Sequence, residues 1–409
     1  MRYLPATGSG QPKENELDRP PVEPGQGAGN IRPQGIGCTF GATMYVRLTV
    51  SYNGRTFPLR HTKVAAWDDN PWLAPSFLGG GYTDADGYFG FQRPTCDFGA
   101  WWDYSGPDVY FTVETVDAFS LGVFNILAPI LNATYSVRTG TNWDANGSTL
   151  YVNLNGGNSD AENAFWAFKM AQLAQEYNVA AGGAGADYFP LRIAWPSRIP
   201  FGYTSFAPVA KLELFGSHWL DPYIVWHEFG HELMYRTSTP DSYMWAFNGG
   251  AFSMTMPSFA FGMHDGFTQE NYQLAYNEGW ANYLYKTLSV HYGLSTTVYL
   301  YPYDICSRTF SCSAWPVGGE NELRISTFLY QYTDQVLRPN LGNSFRNGFG
   351  AIRSRLWNVG RYNVDIHEAW PWWLRSSIPG GYVPGSSLTW LDRTREIAYD
   401  TYMDLSRIP

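Results

Sequence analysis

Apolar and polar residues alternate along several short stretches between residues 42 and 118, a pattern that predicts β-strands. The stretch 44–50 alternates and is followed by Asn53-Gly54, a strong signal for a tight hairpin turn. Further strands are predicted at 63–68, 83–91 and 108–114. Short strands separated by turn residues favour an antiparallel β-sandwich.

Helical patterns dominate from residue 159 onward. Ser159 and Glu162 have the spacing of a capping box, which predicts a helix over 160–177. Asp221-Pro222 is a favourable helix start, with Asp as the cap and Pro in the first turn. Another helix is predicted from Gln269 to about Tyr292, closed by Gly293. Strands are predicted between these helices, at 191–195 and 209–214.

Together these elements predict an α+β multidomain protein. Residues 1–37 are rich in Pro and Gly without apolar periodicity, which predicts a flexible leader. We expect a β-sandwich over 38–118 and a connecting segment over 119–158. Residues 159–409 are then expected to form a mainly helical domain with a small edge sheet.

The composition narrows the class of protein. Aromatic residues make up 17% of the 409 residues, and charged residues only 15%, whereas about 25% is typical. Such a chain is too apolar and too aromatic to be disordered. Its net charge of −9 disfavours a nucleic-acid partner. Because no run of about 18 apolar residues occurs, we expect no membrane span.

Cysteine usage favours an extracellular protein. The four cysteines are even in number and contain no CxxC pair, so two disulfides are expected. Two sequons also suggest glycosylation. We expect secretion, although no signal peptide is visible in this sequence. The residues concerned are Cys38, Cys96, Cys306 and Cys312, and Asn132 and Asn146 of the sequons.

The chemically most informative segment is HExxH, from His227 to His231. On a helix, residues four apart share one face, so both imidazoles can bind one Zn²⁺. Glu228, beside the first ligand, can take a proton from water on the metal and later deliver it to a leaving amine.

A catalytic zinc site needs a third protein ligand. The HExxHxxGxxH continuation of the metzincins is missing after His231. The best candidate is Glu278, 47 residues further on, in the helix predicted to end near Tyr292. Asp265 is an alternative ligand, as in aspartate-type zincins, and neighbouring His264 is a candidate to stabilise the oxyanion.

HExxH together with Asn277-Glu278-Gly279-Trp280-Ala281 resembles the gluzincin metallopeptidases. The second element is similar to the NEGFA element of zinc aminopeptidases and the NExxSD element of the thermolysin group. The resemblance implies that Glu278 is the third zinc ligand. Asn282 stands where these families often have an Asp bonded to a ligand His, which implies an orienting role.

Two further resemblances concern the architecture. Residues 44–50, 64–68, 83–89 and 107–111 resemble the transthyretin-like modules found beside carboxypeptidases. Roughly residues 44–375 are similar to a little-characterised group of secreted peptidase-like proteins. These combine the module with HExxH, a later His, an AxxEGWA element and a further helix. In this chain the later His is His264, and the further helix bears Glu322 and, beyond it, Asp334. These resemblances imply a gluzincin-like zinc metallopeptidase domain over 159–409.

The expected activity is therefore hydrolysis of a peptide or protein substrate, glycoproteins included, by a zinc endopeptidase. No amine-anchoring GxMEN element precedes HExxH, which favours the endopeptidase. A secreted binding protein with an inactive zincin fold remains an alternative. Trp226 and Trp280 flank the zinc residues, and either line a cleft or fill the core.

Overall fold

The computed structural model describes residues 40–69, 74–94, 107–125, 133–141, 149–181, 187–196, 211–214, 221–237, 272–294 and 322–331. The predicted leader, the four cysteines, the two sequon asparagines, His264, Asp265 and Asp334 lie outside these residues. The disulfides and the glycosylation therefore stay predictions.

Twelve strands and four helices make up the described part of the chain. The strands are β1 (Phe40–Tyr52), β2 (Arg55–Pro58), β3 (Thr62–Asp68), β4 (Ser76–Tyr82), β5 (Tyr88–Pro94), β6 (Val109–Asp117), β7 (Leu121–Asn125), β8 (Ala133–Thr134), β9 (Ser136–Arg138), β10 (Thr149–Asn155), β11 (Leu191–Ala194) and β12 (Lys211–Glu213). The helices are α1 (Asp160–Ala181), α2 (Pro222–Thr237), α3 (Tyr272–Tyr292) and α4 (Glu322–Gln331).

The strands form two sheets. A four-stranded sheet has the order β10-β1-β2, and β5 also pairs with β1. An eight-stranded sheet has the order β12-β11-β7-β6-β3-β4, with β8 beside β7 and β9 beside β6. The predicted hairpin between β1 and β2 is confirmed, with positive φ angles of 48° at Asn53 and 75° at Gly54.

The predicted fold class is wrong in two respects. Both sheets are mixed rather than antiparallel, because β10 runs parallel to β1, and β11 runs parallel to both β7 and β12. In addition, β11 and β12 extend the large sheet and do not form a small edge sheet within a mainly helical domain. Parallel strands need a long crossover, and the chain between β7 and β11 includes α1. Periodicity predicts strands but carries no information on which sheet they join.

Helix α1 lies at the centre of the described structure. The capping box that predicted its start is present, since the Glu162 amide donates to Ser159 Oγ over 3.3 Å. Its residues 164–178 are all buried, so no side of this stretch faces water. It contacts strands of both sheets and also α2. Its position therefore links the β-sheets to the helices that carry the HExxH segment.

The crossing of α2 and α3 is unusually close at Gly230. A Cβ atom at this position would lie 2.7 Å from Cα of Ala281 and 3.2 Å from its Cβ. On the other side of α3, a Cβ at Gly279 would lie 2.7 Å from Cβ of Ile325 on α4. Glycine is therefore needed at both crossings, because a larger side chain would push the helices apart.

We expect Gly230→Ala to destabilise the protein by about 1–3 kcal/mol through overpacking against α3, although alanine is the better helix former. Chemical denaturation followed by circular dichroism measures the change. Gly140→Ala is the matched control, since nothing lies within 4 Å of a Cβ there. Equal losses of stability in the two variants would show that the helix crossing tolerates a methyl group.

Asp117 is a buried carboxyl group in the turn between β6 and β7. Its Oδ1 accepts hydrogen bonds from the amides of Phe119 (2.8 Å) and Leu121 (3.0 Å). Burial, with a smaller contribution from the Glu176 carboxylate, raises the pKa of Asp117 to about 6, against the lowering effect of these two hydrogen bonds and one with Gln172. Ionised Asp117 therefore works against folding near neutral pH.

Replacing Asp117 by Asn should make the protein more stable at pH 8, because Asn keeps the accepting oxygen and has no charge to bury. A pKa raised from 3.8 to about 6 on folding favours the folded state fully below about pH 3.8. This contribution is lost as the pH rises through about 6, and amounts to about 3 kcal/mol. Urea denaturation of both proteins between pH 4 and pH 8 should show the stability difference growing with pH. A pH-independent difference would contradict the assignment.

Candidate metal site

Helix α2 begins as the sequence predicts, with Asp221 as its cap. Asp221 Oδ1 accepts a hydrogen bond of 2.9 Å from the Tyr223 amide, and Pro222 occupies the first turn. This start places His227 and His231 in the interior of the helix, one turn apart. Helix α3 ends near Gly293, whose φ is +61°, as expected for a glycine that terminates a helix.

Three side chains from α2 and α3 converge on one point: His227, His231 and Glu278. Nε2 of His227 lies 3.1 Å from Nε2 of His231. Glu278 Oε2 lies 3.0 Å from the first of these nitrogens and 3.4 Å from the second. Each of the three residues is at most 9% exposed, so the cluster is enclosed by protein.

Two asparagines of α3 fix the orientation of the imidazoles. Nδ1 of His227 lies 3.1 Å from Oδ1 of Asn282, and Nδ1 of His231 lies 3.1 Å from Oδ1 of Asn277. Tyr223, one turn before His227, donates its hydroxyl to the same Asn282 oxygen over 3.1 Å. With amide oxygens as acceptors, both Nδ1 atoms carry a proton, which leaves the Nε2 atoms to bind either a proton or a metal ion.

The buried carboxylates at the cluster need a positive charge to balance them. Burial lowers the pKa of His231, but the carboxylates of Glu278 and Glu228 outweigh this effect and raise it to about 9. A proton on His231 is one way to balance these carboxylates in a buried site. A divalent metal ion bound by both Nε2 atoms and Oε2 is the other, and it would release that proton.

The donor set fits a tetrahedral metal ion. Two imidazole nitrogens and one carboxylate oxygen are the His₂Glu ligands of catalytic zinc sites. Ligand atoms about 2.0–2.1 Å from a tetrahedral Zn²⁺ are about 3.3–3.4 Å from one another. The observed separations of 3.0–3.4 Å are close to this, so the three side chains could hold a metal ion with little movement.

The other predicted site residues are buried near the cluster, buried in the core, or outside the described residues. Glu228 is 5% exposed and lies near enough to act on the charge of His231. Glu322, from the resemblance to secreted peptidases, begins α4 and is buried. Trp226 and Trp280 are fully buried, so they fill the core and do not line a cleft. His264 and Asp265, the alternatives for the oxyanion and the third ligand, lie outside the described residues.

Asn277 and Tyr223 are site residues that the sequence reasoning did not single out. Asn277 is the sequence neighbour of Glu278, but that it faces α2 follows only from the contact of Ala281, four residues further on, with Gly230. Tyr223 lies four residues before His227, and this spacing was the signal that could have identified it.

Comparisons with known proteins do not place the chain in a family. No family model matches the sequence, and no curated protein matches it. Among the solved structures that show weak similarity, two are each 18% identical to this chain. A 9R-lipoxygenase from Cyanothece PCC8801 has a TM-score of 0.19, covering 34% of this chain and 23% of the other; an (S)-allantoin synthase has a TM-score of 0.18, covering 29% and 41%. The chain thus spans less than half the length of either, and scores this low carry no argument about fold or function.

Among the described helices, none is both long enough and apolar enough to cross a lipid bilayer.

If the cluster holds a metal ion, Asn282→Ala should weaken its binding, tested with Zn²⁺, by about 10- to 100-fold, because His227 would lose the acceptor that orients its ring. Asn282→Asp, which keeps an acceptor at the same place, should bind at least as tightly as the wild type. Competition with a chromophoric chelator measures both affinities. Undiminished affinity in Asn282→Ala would show that this amide does not orient the ligand.

Proposed function

We propose that this chain is a zinc-dependent peptidase of the gluzincin type. The observation that carries the proposal is the convergence of His227, His231 and Glu278 on one point, with Glu228 next to the first ligand on α2. This is the ligand set that the HExxH segment and the Glu278 element imply when they are taken together. Glu278 supplies the carboxylate, which favours it over Asp265 as the third ligand.

Each residue then has a defined role. His227, His231 and Glu278 would hold Zn²⁺, which when bound supplies Lewis-acid chemistry that polarises a carbonyl and lowers the pKa of water toward about 7. Asn277 and Asn282 keep both imidazoles in the tautomer that leaves Nε2 free to bind. Tyr223 holds Asn282 in place through its hydroxyl.

Glu228 is the proposed general base. It accepts the proton of the attacking water as the water oxygen bonds to the scissile carbonyl carbon. It then gives this proton to the nitrogen of the leaving amine as the C–N bond breaks. Its low exposure favours both transfers, because a buried carboxylate has few competing water molecules. An endopeptidase acting on peptides or proteins remains our expectation for the substrate class.

Glu228→Gln should bind Zn²⁺ like the wild type and lose about 10²- to 10⁴-fold in the rate of peptide hydrolysis, because the amide cannot accept the proton. Glu278→Ala should lose most of its Zn²⁺ and therefore its activity as well. Metal content is measured on the purified proteins, and hydrolysis with a library of quenched fluorescent peptides.

Two outcomes would overturn parts of this proposal. One Zn²⁺ per chain at undiminished affinity in Glu278→Ala would remove Glu278 from the ligand set and make Asp265 the next candidate. If the zinc-loaded wild type cleaves no peptide in the library, the proposed peptidase activity is wrong. A binding protein that holds a metal ion without catalysis then becomes the better interpretation.

A further inference from the structure

The outward face of the four-stranded sheet is unusually rich in exposed tyrosine. Along β1, Met44 and Val46 point into the core and are fully buried, whereas Tyr45 points outward and is 42% exposed. On the neighbouring strand β10, Tyr151 is 68% exposed, the highest value among the exposed large hydrophobic side chains of the described residues. Neither residue belongs to the hydrophobic core of the described residues or to the partly buried side chains packed against it.

Strand register places these rings together on one surface. Arg47 of β1 pairs with Tyr151 of β10 on one side and with Tyr88 of β5 on the other. The Arg47 guanidinium lies 5.3 Å from the centre of the Tyr88 ring. The next row, two residues away along β1, contains Tyr45. Three tyrosines therefore lie in adjacent rows on the same face, where a single extended ligand can touch all of them.

The ring of Tyr45 lies against the backbone of β5. A Cβ atom at Gly90 would come within 2.7 Å of Cε1 and 2.9 Å of Cδ1 of this ring. Because Gly90 has no side chain, Tyr45 can approach the sheet here while 42% of the residue stays exposed to water. The arrangement holds an aromatic surface close to the sheet, with little freedom left to lose when a ligand binds.

Neutral hydrogen-bonding groups occupy the rest of the face. Asn153 of β10 accepts hydrogen bonds at Oδ1 from Thr49 (2.9 Å) and Ser51 (2.6 Å). Its own amide nitrogen donates to Asn155 over 2.9 Å. No outward-facing residue on the described parts of β1, β2, β5 and β10 is acidic, although the whole chain carries a net charge of −9.

This combination of groups matches one ligand chemistry. A single arginine is too little positive charge to hold a polyanion such as nucleic acid. The core of a permanent protein interface is more apolar than this face, where the rings alternate with hydroxyl and amide groups. A neutral sugar chain suits both kinds of group. The C–H faces of its pyranose rings can stack on the tyrosine rings, and its hydroxyls can hydrogen-bond to the amides.

We propose that the outward face of the four-stranded sheet, formed by Tyr45, Arg47, Tyr88, Tyr151, Thr49 and Asn153, binds a neutral glycan chain. The tyrosine rings stack against the sugar rings, and Arg47 and Asn153 hydrogen-bond to the hydroxyls. The site is separate from the metal cluster, and its existence does not depend on peptidase activity.

The outer face of the eight-stranded sheet also has an exposed aromatic ring, but its surroundings are charged. Phe77 is 55% exposed there and packs edge-on against Trp67, with ring centres 5.4 Å apart. That face also carries charge, including an ion pair of 2.9 Å between Lys63 and Glu114. Phe77 therefore offers a control position, because its exposure lies between those of Tyr45 and Tyr151 and its environment is charged.

Affinity gel electrophoresis tests the proposal, using the full chain as purified in gels that contain glucomannan, xyloglucan or mixed-linkage β-glucan. The wild type should be retarded by at least one of these polysaccharides. Tyr151→Ala should bind at least tenfold more weakly, because the most exposed stacking ring is gone. Phe77→Ala should be retarded like the wild type.

Two further variants distinguish a loss of binding from misfolding. Tyr45→Ala removes a ring that packs on Gly90. Weaker polysaccharide binding by this variant counts as support only if the variant melts at the same temperature as the wild type. Asn153→Ala changes a polar group alone and should also weaken binding. The proposal is overturned if none of the three polysaccharides retards the wild type, or if Tyr151→Ala binds as tightly as Phe77→Ala. A wild-type dimer that Tyr151→Ala converts to a monomer would identify the face as a contact between two copies instead.

Discussion

The close contact between α2 and α3 at Gly230 and Ala281 is the constraint on which the candidate metal site depends. HExxH alone brings two imidazoles to one face of a helix, but the third ligand must arrive from another helix. Gly230 lies next to His231, and Ala281 lies three residues after Glu278, so the small residues share the helix faces that carry the ligands. Trp280 secures the same crossing by donating its indole N–H to the Gly230 carbonyl over 3.2 Å. The ligand separations of 3.0–3.4 Å follow from this approach.

The charges of the site add a second constraint, because the protein encloses more negative than positive groups there. Glu228 and Glu278 are both at most 7% exposed, and burying two carboxylates is costly unless a cation balances them. The orienting groups, Asn277 and Asn282, are neutral and do not add to the negative charge. A bound dication would therefore stabilise the fold as well as serve chemistry, and the two roles share the same side chains.

Some of this arrangement was predictable from the sequence, and the rest was not, for physical reasons. The spacing of HExxH determines that His227 and His231 share a helix face, and the cap at Asp221 determines where that helix starts. Sheet membership is different: β11 has the same local pattern whether it joins a small sheet of its own or the large sheet beside β7. The surroundings of Trp226 are equally undetermined by local sequence, because burial depends on α1, to which its indole donates at the Met170 carbonyl over 2.8 Å.

Helix α1 also explains why the β-sheets and the metal site form one structure. Its buried stretch packs on β1 and β10 of the four-stranded sheet, on β6 and β7 of the eight-stranded sheet, and on α2. The end of α3 is held from the same side, since Arg55 of β2 donates to the Gly293 carbonyl over 2.6 Å. The inner face of the four-stranded sheet thus supports the helices that carry the ligands, while its outer face carries the tyrosines. The same strands carry the tyrosines on their outer face and support the helices on their inner face. A glycan held on the outer face would therefore have a fixed orientation relative to the metal site. The four-stranded sheet is therefore a structural support of the candidate site, through α1, and not a separate attachment to it.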